Sequence, residues 1–271
     1  MSTVIAWTRA HRLTAFFGLT FLISWAPFPF WALGLFPGAL FPIGPLAAAL
    51  IVIGLAEGRA GYRALGARLV RWRVGWRWVA VAALTPLAVL ALASLANVAV
   101  FGAPAPVLAE LAWGALALNF AVRWVDVMDG PAGEEPGYRG YAVPLLQIGR
   151  TPAAAAAVLG AIVAVWHVPL VVAGQLPLLG IAVTVVITVV YVWLFDHTGG
   201  SVLMTMLFHV LQGTVSSAAL GFVAADAARM DVLTGTLWAL LAAAILAFDR
   251  SMWRPAPAAA TADRRREPVA A

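Results

Sequence analysis

Residues 13–36 and 78–101 each run without a charged side chain, and each exceeds the roughly 20 residues a helix needs to cross a hydrocarbon core. A backbone in lipid must satisfy its polar groups within its own segment, so runs of this length specify helices. The strict two-residue alternation of a membrane barrel is absent. Another span ends near Glu57, and further apolar segments fall near 107–128, 152–173, 178–195, 201–223 and 232–249, the first of them extending to 149 as one broken, kinked unit with breaks at Pro131, Gly133, Pro136 and Gly137. Only 11% of the 271 residues are charged and 63% are hydrophobic, against roughly 25% charge in ordinary soluble domains. The expected fold is all-α: a polytopic membrane bundle of about eight transmembrane helices occupying residues 1–249.

Basic residues outnumber acidic ones, 17 to 12, and all are arginine. Arg59, Arg63, Arg68, Arg71, Arg73 and Arg77 crowd one loop, which the positive-inside bias places in the cytoplasm. An even number of spans then puts both termini there, in a multi-pass protein of the plasma membrane. Residues 250–271, rich in Ala, Pro and Arg, read as a disordered cytoplasmic tail. The partner that explains the basic charge is the lipid bilayer. No basic patch with interleaved aromatics points to nucleic acid. The absence of cysteine excludes disulfides, thiolate metal sites and a Cys nucleophile. Trp25, Trp72, Trp78 and Trp193 lie near span ends and are expected as interfacial anchors, with His11 and His197 interfacial as well.

Lipid-facing packing does not account for Gly133-Glu134-Glu135-Pro136-Gly137-Tyr138-Arg139. Ionisable groups within a membrane protein are costly and usually functional. Glu135 and Arg139 are four apart, so on a helix they share one face within ion-pair range. Glu134 points about 100° away and is the candidate general base. If Gly149–Pro152 is a turn, segments 134–149 and 152–167 form a helical hairpin. Glu134 lies 16 residues before Arg150 and His167 lies 16 after Thr151, so the two reach similar depth. His209, in another apolar run, joins them only if the helices bundle. A carboxylate and an imidazole sharing a water can deprotonate it for attack on a carbonyl, and a second His can hold the oxyanion. The same Glu134, His167 and His209 also make a His₂Glu set that would suit zinc. Spacing leaves open whether the water is held by a metal or by hydrogen bonds. The competing structural reading is a Glu–Arg clasp between helices, with the histidines as packing groups. Glu110 and Arg123 interrupt an apolar run, and no chemistry is assigned to them.

The stretch Glu134-Glu135-Pro-Gly-Tyr-Arg139-Gly140-Tyr141-Ala-Val-Pro144-Leu145 resembles the E-E-x-x-x-R signature of the CPBP intramembrane proteases, the CAAX-processing and bacteriocin-immunity (Abi) membrane endopeptidases. Ala164-Val165-Trp166-His167-Val168-Pro169-Leu170 is similar to their second motif, and Thr198-Gly199-Gly200-Ser201-Val202-Leu203 through His209 to the approach to their third. The resemblance covers about residues 107–215. It implies an eight-helix bundle with a cavity open to the cytosolic side, acting on a peptide or membrane-anchored protein. Glu134 and His167 would activate water, His209 would help hold the oxyanion, and Glu135 with Arg139 would shape the first motif. This metalloprotease-labelled family leaves metal use open. Two positions depart from its pattern: Val163 stands where Phe is usual, and Gly213 where Asn is usual. Loss of that amide removes an oxyanion donor, which Gln212 or Thr214 would have to replace. The alternatives to an active endopeptidase are therefore a silent relative that binds or shields a membrane partner, and a small transporter. No inverted repeat favours the transporter.

Overall fold

The computed structural model describes residues 3–255, and among them every regular element is helical. The α-helices are α1 (Thr3–Ala10), α2 (Arg12–Trp25), α3 (Phe28–Ala32), α4 (Gly44–Ala56), α5 (Gly58–Leu69), α6 (Trp76–Phe101), α7 (Trp113–Val122) and α8 (Pro131–Gly137). They continue as α9 (Val143–Leu146), α10 (Pro152–Trp166), α11 (Val168–Val172), α12 (Leu178–His197), α13 (Val202–Thr214) and α14 (Ala224–Phe248). Five stretches are long and apolar enough to cross a membrane: Arg12–Ala32, Trp76–Phe101, Pro152–Val172, Leu178–His197 and Ala224–Phe248. Three shorter apolar helices, α4, α7 and α13, complete the set. The outward faces of the long helices stay apolar, with Leu84, Leu92, Leu95, Leu240 and Phe248 all exposed. Such a surface suits lipid rather than water.

The polar segment is the spine of the bundle. Every residue from 131 to 144 is buried. Small residues make this possible, because Gly133 and Gly137 bring α8 against backbone. A Cβ at 133 would meet the carbonyls of Pro42 and Val127, and one at 137 would meet Pro45 at the start of α4. This is the close approach that a Gly-x-x-x-Gly pair permits between membrane helices. Pro144 lacks an N–H, which breaks the ladder over Gly140. The chain answers with a π-turn over Tyr138–Ala142, and Arg68 Nη1 donates to the Gly140 carbonyl at 3.2 Å.

The spine then turns through Gly149 (φ +75°) and returns as α10, capped by the Thr151 hydroxyl, which accepts from the Ala154 N–H. The expected hairpin is therefore present. Around it α2 packs on α4 and α4 on α8, while α10 packs on α12 and α12 on α14. Helix α6 closes the bundle against α13 and α14.

Several expectations are revised. The arginine-rich loop is largely the short helix α5, with Arg59 and Arg63 exposed and Leu65 buried. The single broken unit expected over 107–149 is divided into a 3₁₀ turn at Leu108–Glu110, α7, α8 and α9, with its interruptions between Val122 and Pro131 and at the π-turn Tyr138–Ala142, while Gly133 and Pro136 lie inside α8. Residues Arg250–Trp253 form a 3₁₀ turn against α10 with Met252 fully buried, so packed chain continues beyond residue 249. The remainder of the expected tail, 256–271, lies outside the described residues. Trp25 is not simply an interfacial anchor, since its indole N–H donates to the Trp166 carbonyl at 3.1 Å. That bond ties α2 to the end of α10.

The two ends of the bundle differ in charge. At one end Arg12 pairs with Glu57, and Tyr141 and Ile148 line a small cleft with Arg12, Glu57 and Arg68. At the other, the start of α8 meets Pro42 and the end of α10 meets Trp25. Glu134 therefore sits away from the arginine-rich end.

Candidate functional site

Four segments converge at the far end of the spine: the first turn of α8, the loop that leads into it, the end of α10 and the middle of α13. Helix α8 starts with Pro131 at its first position, where a missing N–H costs nothing. Gly130 precedes it with φ +29° and ψ −81°, a backbone region that side chains rarely adopt. The Glu134 N–H donates to the Gly130 carbonyl at 2.8 Å, closing that turn.

The two adjacent carboxylates have different surroundings. Glu135 is fully buried, and its Oε1 accepts from Arg139 Nη1 at 2.9 Å and from His209 Nδ1 at 2.9 Å. The i,i+4 spacing thus delivers the expected ion pair. Arg139 is held further by its guanidinium lying 4.0 Å from the centre of the Tyr191 ring. Glu134 is 8% exposed and, among the described residues, enters no ion pair. Its oxygens are therefore not held by a guanidinium or imidazolium of the scaffold, unlike Oε1 of Glu135.

Both histidines have one ring nitrogen committed. His167 caps α10, where Pro169 prevents simple continuation of the helix. Its Nδ1 lies 2.8 Å from the Val163 carbonyl. A carbonyl only accepts, so Nδ1 carries the proton and Nε2 presents a lone pair. Val163 serves through its backbone, so its departure from the family's usual Phe leaves this bond intact. The Glu135 carboxylate also only accepts, so His209 Nδ1 donates to it. Its Nε2 turns to Gly130: a Cβ there would lie 3.2 Å from His209 Nε2 and 3.3 Å from Glu134 Oε1. Glu134 and His209 thus flank a single small space. His167 is close enough for Glu134, His209 and Arg139 to act on it electrostatically.

The positions after His209 are arranged differently from expectation. Gln212 Oε1 accepts from the Tyr191 hydroxyl at 2.7 Å, and the Thr214 hydroxyl donates back to Val210. Both are engaged within the scaffold. At Gly213 the space of a side chain is taken by Arg123, whose Cζ would be 2.6 Å from a Cβ there. Arg123 Nη1 also donates to both oxygens of Asp129, at 2.9 and 2.8 Å. Arg123, Asp129, Gly130 and Tyr191 thus border the Glu134, Glu135 and His209 cluster, and the sequence pattern alone assigned no role to any of them. Arg123 was visible as a charge interrupting an apolar run, but nothing local aimed it at Gly213.

Among the described residues no group of three His, Cys, Asp or Glu side chains is gathered closely enough to hold a metal ion. Glu134, His167 and His209 are thus not drawn together as the expected His₂Glu set.

The fold and site define a polytopic helical membrane protein with a buried carboxylate–imidazole centre. Residues 118–215 match the family model described as type II CAAX prenyl endopeptidase Rce1-like, in agreement with the resemblance carried by the three motifs. The match spans every residue of the centre, from Arg123 to Gly213, and supports an intramembrane endopeptidase in general terms. Comparison with curated proteins gives no match.

Proposed function

We propose that this chain hydrolyses peptide bonds of membrane-associated substrates, with Glu134 as the general base. The supporting observation is the division of labour between adjacent carboxylates. Glu135 is consumed by Arg139 and His209, whereas Glu134, among the described residues, enters no ion pair and borders the same space as His209 Nε2. A water there loses a proton to Glu134 as its oxygen bonds to the scissile carbonyl carbon. The carbonyl electrons move to oxygen, where His209, carrying a proton on each ring nitrogen and donating to Glu135 through Nδ1, donates from Nε2 to the oxyanion. Collapse of the intermediate breaks the C–N bond, and the proton held by Glu134 passes to the leaving amine. His167, with its lone pair on Nε2, orients the water. Glu135 and Arg139 position His209.

The substrate class follows from the family description: a peptide presented at the membrane, for which prenylated CAAX-type peptides are the first panel. By the charge rule both termini lie in the cytoplasm of a plasma-membrane protein, with the site towards the opposite face. A second reading, a silent relative that binds a membrane partner, is favoured by Gly213, which carries no amide. Hydrolysis of prenylated and unmodified peptides by purified protein in liposomes, beside Glu134→Gln, separates the two.

A further inference from the structure

Arg123 is largely withdrawn from the surface, in a place where a lone structural cation is expensive. Its side chain is 12% exposed, and a charge in a membrane protein interior needs a partner or a task. Asp129 provides a partner, but through Nη1 only. Arg123 Nε is buried without a hydrogen-bond partner among the described residues, and Nη2 is the guanidinium atom nearest the Cβ position of Gly213. Three of the five donors of this rigid fork, one on Nε and two on Nη2, are thus uncommitted among the described residues.

Two elements bring those donors towards the site. Gly213 lies four residues after His209 on α13, hence on the same helix face, about 5–6 Å away between Cβ positions. Asp129 is the neighbour of Gly130, whose Cβ position touches both His209 Nε2 and Glu134 Oε1. The guanidinium is therefore bracketed by the residue one turn beyond His209 and the residue before Gly130. Asn119 fixes the approach of α7 to α13, its amide donating to the Thr214 carbonyl at 3.0 Å.

Resting on the hydrolytic reading above, we infer that Arg123 is a catalytic donor. Its Nε and Nη2 groups hydrogen-bond the carbonyl oxygen of the scissile peptide as negative charge develops there. No proton leaves Arg123, which stays charged throughout. The glycine at 213 is then a requirement of this arrangement, since any side chain there would displace the guanidinium. Asp129 is a positioning residue that sets the fork.

The test compares wild type, Glu134→Gln, Arg123→Ala, Asp129→Asn and the double variant Arg123→Ala with Gly213→Asn. Each is reconstituted in liposomes and assayed on a panel of internally quenched prenylated and unmodified peptides. Arg123→Ala is expected to lower kcat by about 100-fold with KM held, the effect of losing one oxyanion donor. The double variant, which places an amide one turn after His209, is expected to recover about tenfold of that loss. Asp129→Asn keeps the fork and loses less than Arg123→Ala. If Arg123→Ala fails to fold, Arg123→Lys reads the same kcat loss while retaining charge for Asp129. Equal losses in Arg123→Ala and Asp129→Asn, with no recovery in the double variant, would reduce Arg123 to a loop clamp and overturn the inference. Wild-type kcat in Arg123→Ala, with Glu134→Gln inactive, overturns it while leaving the hydrolytic reading standing. Undiminished cleavage by Glu134→Gln, or none by wild type, overturns that reading and this inference with it.

Discussion

Glu135 Oε1 accepts from His209 Nδ1 at 2.9 Å across a sequence separation of 74 residues, and the same oxygen accepts from Arg139 one turn along its own chain. One atom therefore couples the α8 spine to α13. It also sets the ring orientation of His209, leaving Nε2 to face Gly130 and Glu134.

Neutralising Glu135 should damage the fold more than neutralising Glu134. Glu135→Ala leaves the Arg139 guanidinium, 3% exposed as a residue, without its carboxylate. Breaking a buried pair by removing one partner costs about 3–5 kcal/mol. Thermal unfolding in detergent should show a large fall for Glu135→Ala and a small one for Glu134→Gln. Equal falls would mean that Glu135 is not the structural member of the pair.

Gly130 is expected to tolerate no side chain. Alanine there would be strained at φ +29° and would stand 3.2 Å from His209 Nε2 and 3.3 Å from Glu134 Oε1. Strain of this kind costs on the order of 1–3 kcal/mol, which a protein of this size can absorb. Gly130→Ala should therefore remain folded and lose peptide hydrolysis, by a factor of about 100 for a misplaced reacting group. Unchanged kcat would remove Gly130 from the boundary of the site.

The orientation can be read chemically, because the chain has no cysteine. Arg63, exposed on α5, and Asp126, in the loop before α8, lie towards opposite ends of the bundle. With a membrane-impermeant maleimide on intact cells, Asp126→Cys should label and Arg63→Cys should label only after permeabilisation. The reverse pattern would place the arginine-rich end outside and the site on the cytosolic side.

Asp249 should confer an acid-sensitive contribution to stability. Burial acts to raise its carboxyl, but hydrogen bonds from the Ser251 hydroxyl and N–H and from Trp193, with the charge of His197, outweigh it and lower it below 3.8. A carboxyl lowered on folding stabilises the native state above its unfolded value, and this is lost as pH falls through the folded value. Wild type should unfold at higher temperature than Asp249→Asn near neutral pH, and the gap should close below about pH 3.9. A gap independent of pH would show that the carboxylate charge contributes nothing.

Much of the architecture was legible because lipid imposes a coarse rule: long uncharged runs must be helices. The hairpin was legible too, since Gly149 and Thr151-Pro152 are local turn and cap signals. The i,i+4 pairing of Glu135 with Arg139 followed from helical geometry alone. The two-fold use of Glu135 was not visible, because its bond to His209 depends on how α13 lands on α8. Arg123 was hidden for the same reason. Its target at Gly213 is 90 residues away in sequence, and a glycine advertises no partner. The positions of the breaks within 107–149 were not legible, because Gly133 and Pro136 are accommodated inside α8 while the chain leaves the helix between Val122 and Pro131.

The central claim is that Glu134 is the base. The most direct measurement is the rate at which the purified protein in liposomes cleaves prenylated and unmodified peptides, compared with Glu134→Gln, which keeps shape and removes the charge. General-base catalysis contributes about 10²–10⁴-fold, so the variant should lose at least two orders of magnitude in kcat while its unfolding temperature is held. Cleavage by Glu134→Gln at the wild-type rate would contradict the account.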